Sequence, residues 1–197
     1  MRESRRLPLI LDATPEEAFD RPTVLAGWTV RDVIAHCGAA LGQLVAGEIG
    51  GFSPEENERD VEARRPWPLD RVVDELVSNY EPAAMRIHEL DGAADGLGLG
   101  EWVHGGDIRD PLGAPDAYTS DGVDLALGLI AERARDRGIV STVVDLGDQR
   151  VGLGMGPPVG RLACDVETFI RLVAGRRPDP ARYSLSGIEA DDLLLFA

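Results

Sequence analysis

The chain has 197 residues, 44% of them hydrophobic and 28% charged, which is the composition of a globular protein with room for one large domain or two small ones. Its formal net charge of −15 sets up a field that repels nucleic acid and anionic lipid, so nucleic-acid binding is excluded. All 20 basic side chains are Arg, which excludes Schiff-base and lysine-nucleophile chemistry.

At the N-terminus an apolar run, Leu7-Pro8-Leu9-Ile10-Leu11, ends at Asp12. It is shorter than the ~7–15 residues of a signal-peptide core. No apolar run approaches the ~20 residues that span a bilayer, so a cytoplasmic protein without a membrane partner is expected. Residues 4–12 predict a short first helix, broken or restarted around Pro8 and Pro15. The clearest helix start is Thr29-Val30-Arg31-Asp32, where Thr29 can cap and Asp32 can reach back as the second half of a capping box. From there Val30, Val33, Ile34, Cys37, Leu41, Leu44 and Val45 fall on one stripe, up to a stop near Gly50-Gly51. Ser53 to Arg65 reads as a polar connection to Pro66-Trp67-Pro68. Leu69, Val72, Val73, Leu76, Val77 and Tyr80 mark the next helix, which Pro82 is expected to kink or end. A glycine-rich turn, Gly92 to Gly100, then leads to a segment carrying Trp102, Val103 and Ile108.

The periodicity changes after Gly113-Ala114-Pro115-Asp116-Ala117-Tyr118-Thr119-Ser120. Residues 122–137 predict a helix, Val140 to Leu146 a β-branched strand, and Arg150 to Met155 a second strand reached through Gly147-Asp148. An amphipathic helix over 165–174 and a last apolar segment complete the chain. The expected fold class is α+β: a helical bundle over residues 1–115, then a small α+β domain over 119–197. Gly152-Leu153-Gly154-Met155-Gly156 lacks the strand–turn–helix context of a phosphate loop and reads as strand and turn. Cys37 and Cys164 match no metal or redox spacing and are expected to be reduced, buried and apolar in character.

Only three histidines are available for a histidine-centred site. His36 falls at the edge of the apolar stripe of its helix, where it can face a cleft between helices or serve as an ordinary boundary histidine. Glu101 and His104, three apart, share a helix face, so carboxylate and imidazole can converge on one ion. Two imidazoles, one carboxylate and an open position is the usual make-up of a catalytic zinc site. Asp107, three residues further on, can accept the proton of the non-ligating nitrogen of His104 and fix that ring's orientation. The alternative is a solvated Glu beside a partly buried His. His88 lies off the apolar stripe and is expected to be exposed.

The segment from Pro22 through Gly27-Trp28-Thr29-Val30-Arg31-Asp32-Val33-Ile34-Ala35 to His36 resembles the signature of the mycothiol-dependent maleylpyruvate isomerase family. Glu101-Trp102-Val103-His104-Gly105-Gly106-Asp107-Ile108-Arg109 resembles a second signature, and Ala163-Cys164-Asp165 through Ala174-Gly175-Arg176 a looser third. The resemblance implies a DinB-like four-helix bundle with a small C-terminal α+β domain. It also implies a divalent metal, usually zinc, held by His36, Glu101 and His104. The metal would bind the sulfur of mycothiol, the low-molecular-weight thiol of actinobacteria, and Arg176 or Arg177 would hold an anionic group of substrate or cofactor. In the family the glutamate precedes the histidine by four residues; here Glu101 precedes His104 by three, and Gly100 occupies the expected place. Gly105-Gly106 stand where relatives carry bulkier side chains, and two glycines weaken a helix.

Three readings follow. The first is a metal-dependent mycothiol transferase or isomerase acting on a small electrophile. The second is a binding or accessory protein with a degenerate metal site, and the third a metal hydrolase that needs no thiol.

Overall fold

The computed structural model describes residues 3–48, 53–114 and 116–196. The chain divides into two compact units, Met1–Ala117 and Tyr118–Ala197.

The first unit is helical. It comprises α1 (Glu3–Asp12), α2 (Val30–Ala46), α3 (Pro54–Arg64), α4 (Leu69–Glu89) and α5 (Asp95–Leu112). Four of these make the bundle: α2 packs on both α4 and α5, α4 packs on α5, and α1 closes against α4. The capping box at the start of α2 forms as the sequence demands, with Thr29 accepting from the Asp32 backbone and the Asp32 side chain accepting from the Thr29 backbone. Val30, Val33, Ile34, Cys37, Leu41 and Leu44 are all buried. At roughly 1.5–3 kcal/mol for each large aliphatic side chain removed from water, this stripe holds α2 at the centre of the unit. Gly38 lets α4 come close, because a Cβ there would stand 3.2 Å from both Glu75 Oε2 and the Leu76 backbone nitrogen.

The helices differ from expectation in five places. Neither Pro8 nor Pro82 breaks its helix: α1 and α4 run through them, each losing one backbone bond. Buried residues to either side, Leu7 and Leu11 in α1 and Leu76 and Ala83 in α4, compensate. Helix α2 stops at Ala46, where Gly47 takes the left-handed conformation (φ 77°) that ends helices, so it stops before Gly50-Gly51, which lie outside the described residues. The Ser53–Arg65 stretch is not a connection but holds α3, started by a Ser53/Glu56 capping box with Pro54 in the first turn. Helix α5 begins at Asp95, so Gly96, Gly98 and Gly100 are helical rather than part of a turn. Packing overrides propensity there: Leu99 and Val103 are buried, and a Cβ at Gly98 would just reach Ile87 of α4.

The second unit carries α6 (Val123–Asp136), β1 (Thr142–Asp145), β2 (Arg150–Leu153), β3 (Gly160–Cys164), α7 (Val166–Val173) and β4 (Tyr183–Ser186). The sheet order is β2-β1-β3-β4, with β1–β2 and β3–β4 antiparallel and β1–β3 parallel. In register, Val144 faces Val151 on one side and Leu162 on the other, and Leu162 faces Leu185. The apolar face of α7, with Phe169, Ile170 and Val173, is buried along with Ile130 of α6 and Val144 and Leu162 of the sheet. The α+β class expected for the chain is therefore observed, with β3 and β4 as strands the periodicity did not indicate. Among the described residues no helix is long and apolar enough to cross a membrane.

Candidate active site

Helix α2 delivers His36 and α5 delivers His104 to the same point of the bundle. Their ring centroids are 4.9 Å apart in an edge-on arrangement, with planes at 80°. His36 is buried, because the stripe of which it forms the margin is covered by α5.

His104 Nδ1 lies 3.0 Å from Asp107 Oδ2, one turn along α5, and Asp107 is fully buried. A buried carboxylate at that distance accepts the Nδ1 proton and leaves Nε2 as the lone-pair nitrogen. The i,i+3 contact expected from the sequence is present, and Gly105-Gly106 between its ends do not interrupt the helix.

Glu101 is engaged differently. Its carboxyl pairs with the Cys37 thiol, one residue along α2 from His36, while Oε2 is buried with no hydrogen-bond partner. Burial pushes its pKa up to about 8, against the smaller opposing pull of the Cys37 thiol, so the neutral acid predominates at pH 7. Across the two helices His36 thus meets His104 ring to ring. Among the described residues, no three His, Cys, Asp or Glu side chains stand close enough as placed to hold one ion.

Trp28 walls the site. It precedes the cap of α2, and its ring centroid lies 5.2 Å from that of His36. Its Nε1–H donates to Glu58 Oε2 at 2.9 Å, and Glu58 also pairs with Arg65, which reaches the capping residue Asp32. Helix α3 is by these contacts tied to the mouth of the site. Sequence reasoning passed over both Trp28 and Cys37. Trp28 had one local signal, its position before the cap, where an apolar side chain folds back over the first turns. For Cys37 no local signal exists, because its partner is on another helix.

Arg176 and Arg177 follow α7 in the second unit. Both line a cavity of about 520 Å³, together with Leu172, Tyr183, Leu194 and Phe196. The Arg176 guanidinium donates to the Ala174 carbonyl, while Arg177 is exposed. Asp179 and Asp191 line the same cavity, so its guanidinium groups stand among carboxylates. His88 is exposed, as expected. The two cysteines are free, Cys37 buried and Cys164 partly so. Burial, aided by Asp165, pushes the Cys164 thiol up to about 12, so it supplies no thiolate near neutral pH.

Compared with protein-family models, the chain matches the mycothiol maleylpyruvate isomerase N-terminal domain over residues 1–109. Among solved structures it is similar to the mycothiol-dependent maleylpyruvate isomerase, with a TM-score of 0.57 at 17% identity, covering 95% of this chain and 90% of that one. A histidine-to-alanine mutant of the mycothiol-dependent maleylpyruvate isomerase matches with the same score and coverage at 14% identity. At these identities the likeness establishes the fold. No curated protein matches the sequence.

Proposed function

The chain belongs to the mycothiol maleylpyruvate isomerase family, and from that premise we propose that it is a mycothiol-dependent isomerase or transferase acting on a small electrophile at a divalent-metal site between α2 and α5. The observation that carries the reading is the His36–His104 pair with the buried Asp107 behind it. An orienting carboxylate on the far nitrogen is the usual support of a metal-bound imidazole. The partnerless buried Oε2 of Glu101 supports it too, since an oxygen removed from water without a donor is what a cation satisfies. Two imidazoles and a carboxylate suit zinc in kind, and Glu101 would complete the set by turning from Cys37.

His36, His104 and Glu101 are the residues that would hold the ion, and Asp107 fixes the His104 tautomer. A divalent ion there would supply the positive charge that keeps a thiol cosubstrate in its thiolate form at neutral pH. Such a thiolate would supply reversible addition to an activated double bond, chemistry that consumes neither oxidant nor reductant. Trp28 keeps the His36 side of the site apolar.

Metal analysis of protein purified without a histidine tag tests this. Near-stoichiometric zinc is expected in the wild type and a large loss in His36→Ala and His104→Ala; no bound metal at saturating zinc refutes the metal site. Assay of maleylpyruvate isomerisation with and without mycothiol then separates a thiol-dependent enzyme from a hydrolase. The Cys37–Glu101 pairing favours one second reading, a binding protein on the same fold whose carboxylate no longer joins the histidines. That reading expects no shift in melting temperature with zinc or with mycothiol, whereas binding to the folded state alone raises it.

A further inference from the structure

Of the five helices in the first unit, α3 is the one without an apolar stripe. It buries Val61 alone, whereas α1 buries Leu7 and Leu11, and α4 buries Val72, Leu76 and Ala83. Polar side chains add to its hold. At its C-terminal end Arg64 Nη2 donates to Glu75 Oε1 of α4 at 2.7 Å, and both side chains are mostly covered. Toward the N-terminus the contacts are more open to solvent. Gln43 of α2 donates to Asp60 Oδ2 at 2.9 Å, and Glu58, 42% exposed, accepts from the Trp28 indole and from Arg65. Half-exposed charged contacts are individually weak and screened by salt. A helix with so little apolar burial opens at a free energy well below that of global unfolding. The Trp28 backbone is fixed independently of α3, its N–H donating to the Leu25 carbonyl and its carbonyl accepting from the Thr23 N–H. The indole, in contrast, is tied to α3 through Glu58, and the same side chain lies 5.2 Å from the His36 ring.

We infer that α3 is a flap, hinged at Arg64, that opens while α1, α2, α4 and α5 stay packed, and that Glu58 is the positioning residue through which the flap holds the Trp28 indole against His36. With α3 closed, the indole walls His36. With α3 open, the indole N–H loses its acceptor and the ring turns on its own side-chain torsions, uncovering the α2 side of the site. The opening is a property of the helical unit itself. Its use, admitting a small molecule between α2 and α5, rests on the function proposed above.

The test is hydrogen exchange by NMR on the full-length protein, following backbone amides and the Trp28 indole N–H, which a Trp28→Phe variant assigns. In the wild type the α3 amides are expected to be at least about tenfold less protected than the buried stretches of α2 and α4. Raising NaCl from about 0.05 M to about 0.5 M should lower α3 protection further and leave α2 and α4 within about twofold. Glu58→Ala removes the indole acceptor and should lower protection of the indole N–H about fivefold, the equilibrium equivalent of one ordinary hydrogen bond. Glu58→Gln restores an acceptor and should keep that N–H within about twofold of wild type. Val61→Ala removes the apolar anchor and should lower protection of α3 and of the indole together, by about tenfold. Equal protection of α3 and α2 in the wild type overturns the flap, as does a loss spread evenly over α2, α3 and α4 in Val61→Ala. An indole N–H that stays protected in Glu58→Ala, or while α3 opens in Val61→Ala, overturns the role of Glu58. The readout needs neither metal nor thiol, so absence of zinc binding or of activity refutes the proposed function and leaves the flap standing.

Discussion

Glu101→Gln in the metal-free protein is the most informative perturbation. Burial makes the neutral carboxyl the favoured form, so in the fold Glu101 titrates near pH 8 rather than at the ordinary 4.5. Below pH 4.5 the folded and unfolded chains both keep the proton, and the group's contribution to stability is complete. Between 4.5 and 8 only the unfolded chain releases it, so stability falls as pH rises; above 8 the loss is constant. At about 1.4 kcal/mol per pH unit the ceiling is about 5 kcal/mol, and the partial exposure of the side chain leaves an expected loss of about 2–3 kcal/mol. Gln keeps the shape and cannot ionise. Urea unfolding with a chelator present, at pH 5 and pH 8, reads the difference. Trp28, Trp67 and Trp102 all lie in the helical unit, so their fluorescence reports on that unit alone. The wild type should lose about 2–3 kcal/mol more than Glu101→Gln between the two pH values. Equal losses in the two proteins would refute the placement of Glu101 in an apolar, unsatisfied setting.

Asp107→Asn removes the carboxylate behind His104, and zinc affinity in chelator competition should fall about 10–100-fold while far-ultraviolet circular dichroism stays helical. Gly38→Val places a branched side chain against Glu75 and the Leu76 backbone, and should cost roughly 1–3 kcal/mol in urea unfolding by wedging α2 from α4. Thr29→Ala loses the capping box of α2 and should cost about 1 kcal/mol in the same measurement, with zinc stoichiometry unchanged.

Much of the molecule follows from local chemistry that a single chain displays. The start of α2 is written in Thr29 and Asp32, because a capping box needs only residues three apart, and its buried face in the apolar stripe from Val30 to Leu44. The His104–Asp107 contact is legible for the same reason, as i,i+3 residues of one helix must be neighbours. The strands β1 and β2 announce themselves through β-branched residues and a tight Gly147-Asp148 turn.

Other features depend on partners remote in sequence. Helix α3 buries only Val61, so it has no apolar stripe to betray it, although the Ser53–Glu56 cap was there to read. The glycine-rich start of α5 is helical although Gly96, Gly98 and Gly100 disfavour it, and Leu99 and Val103 along it are buried, a tertiary burial that outweighs the conformational freedom of the glycines. Strands β3 and β4 are short, and their pairing across Leu162 and Leu185 is set by the sheet. The setting of Glu101 belongs to this class as well. Spacing along α5 puts its carboxyl on the same side as His104, but the packing around α5 decides that Oε2 is buried without a hydrogen-bond partner. The sequence by itself determined which side chains reach the interface between the two helices; only the tertiary structure decided how they pair across it, because rotation and offset between packed helices are properties of the whole core.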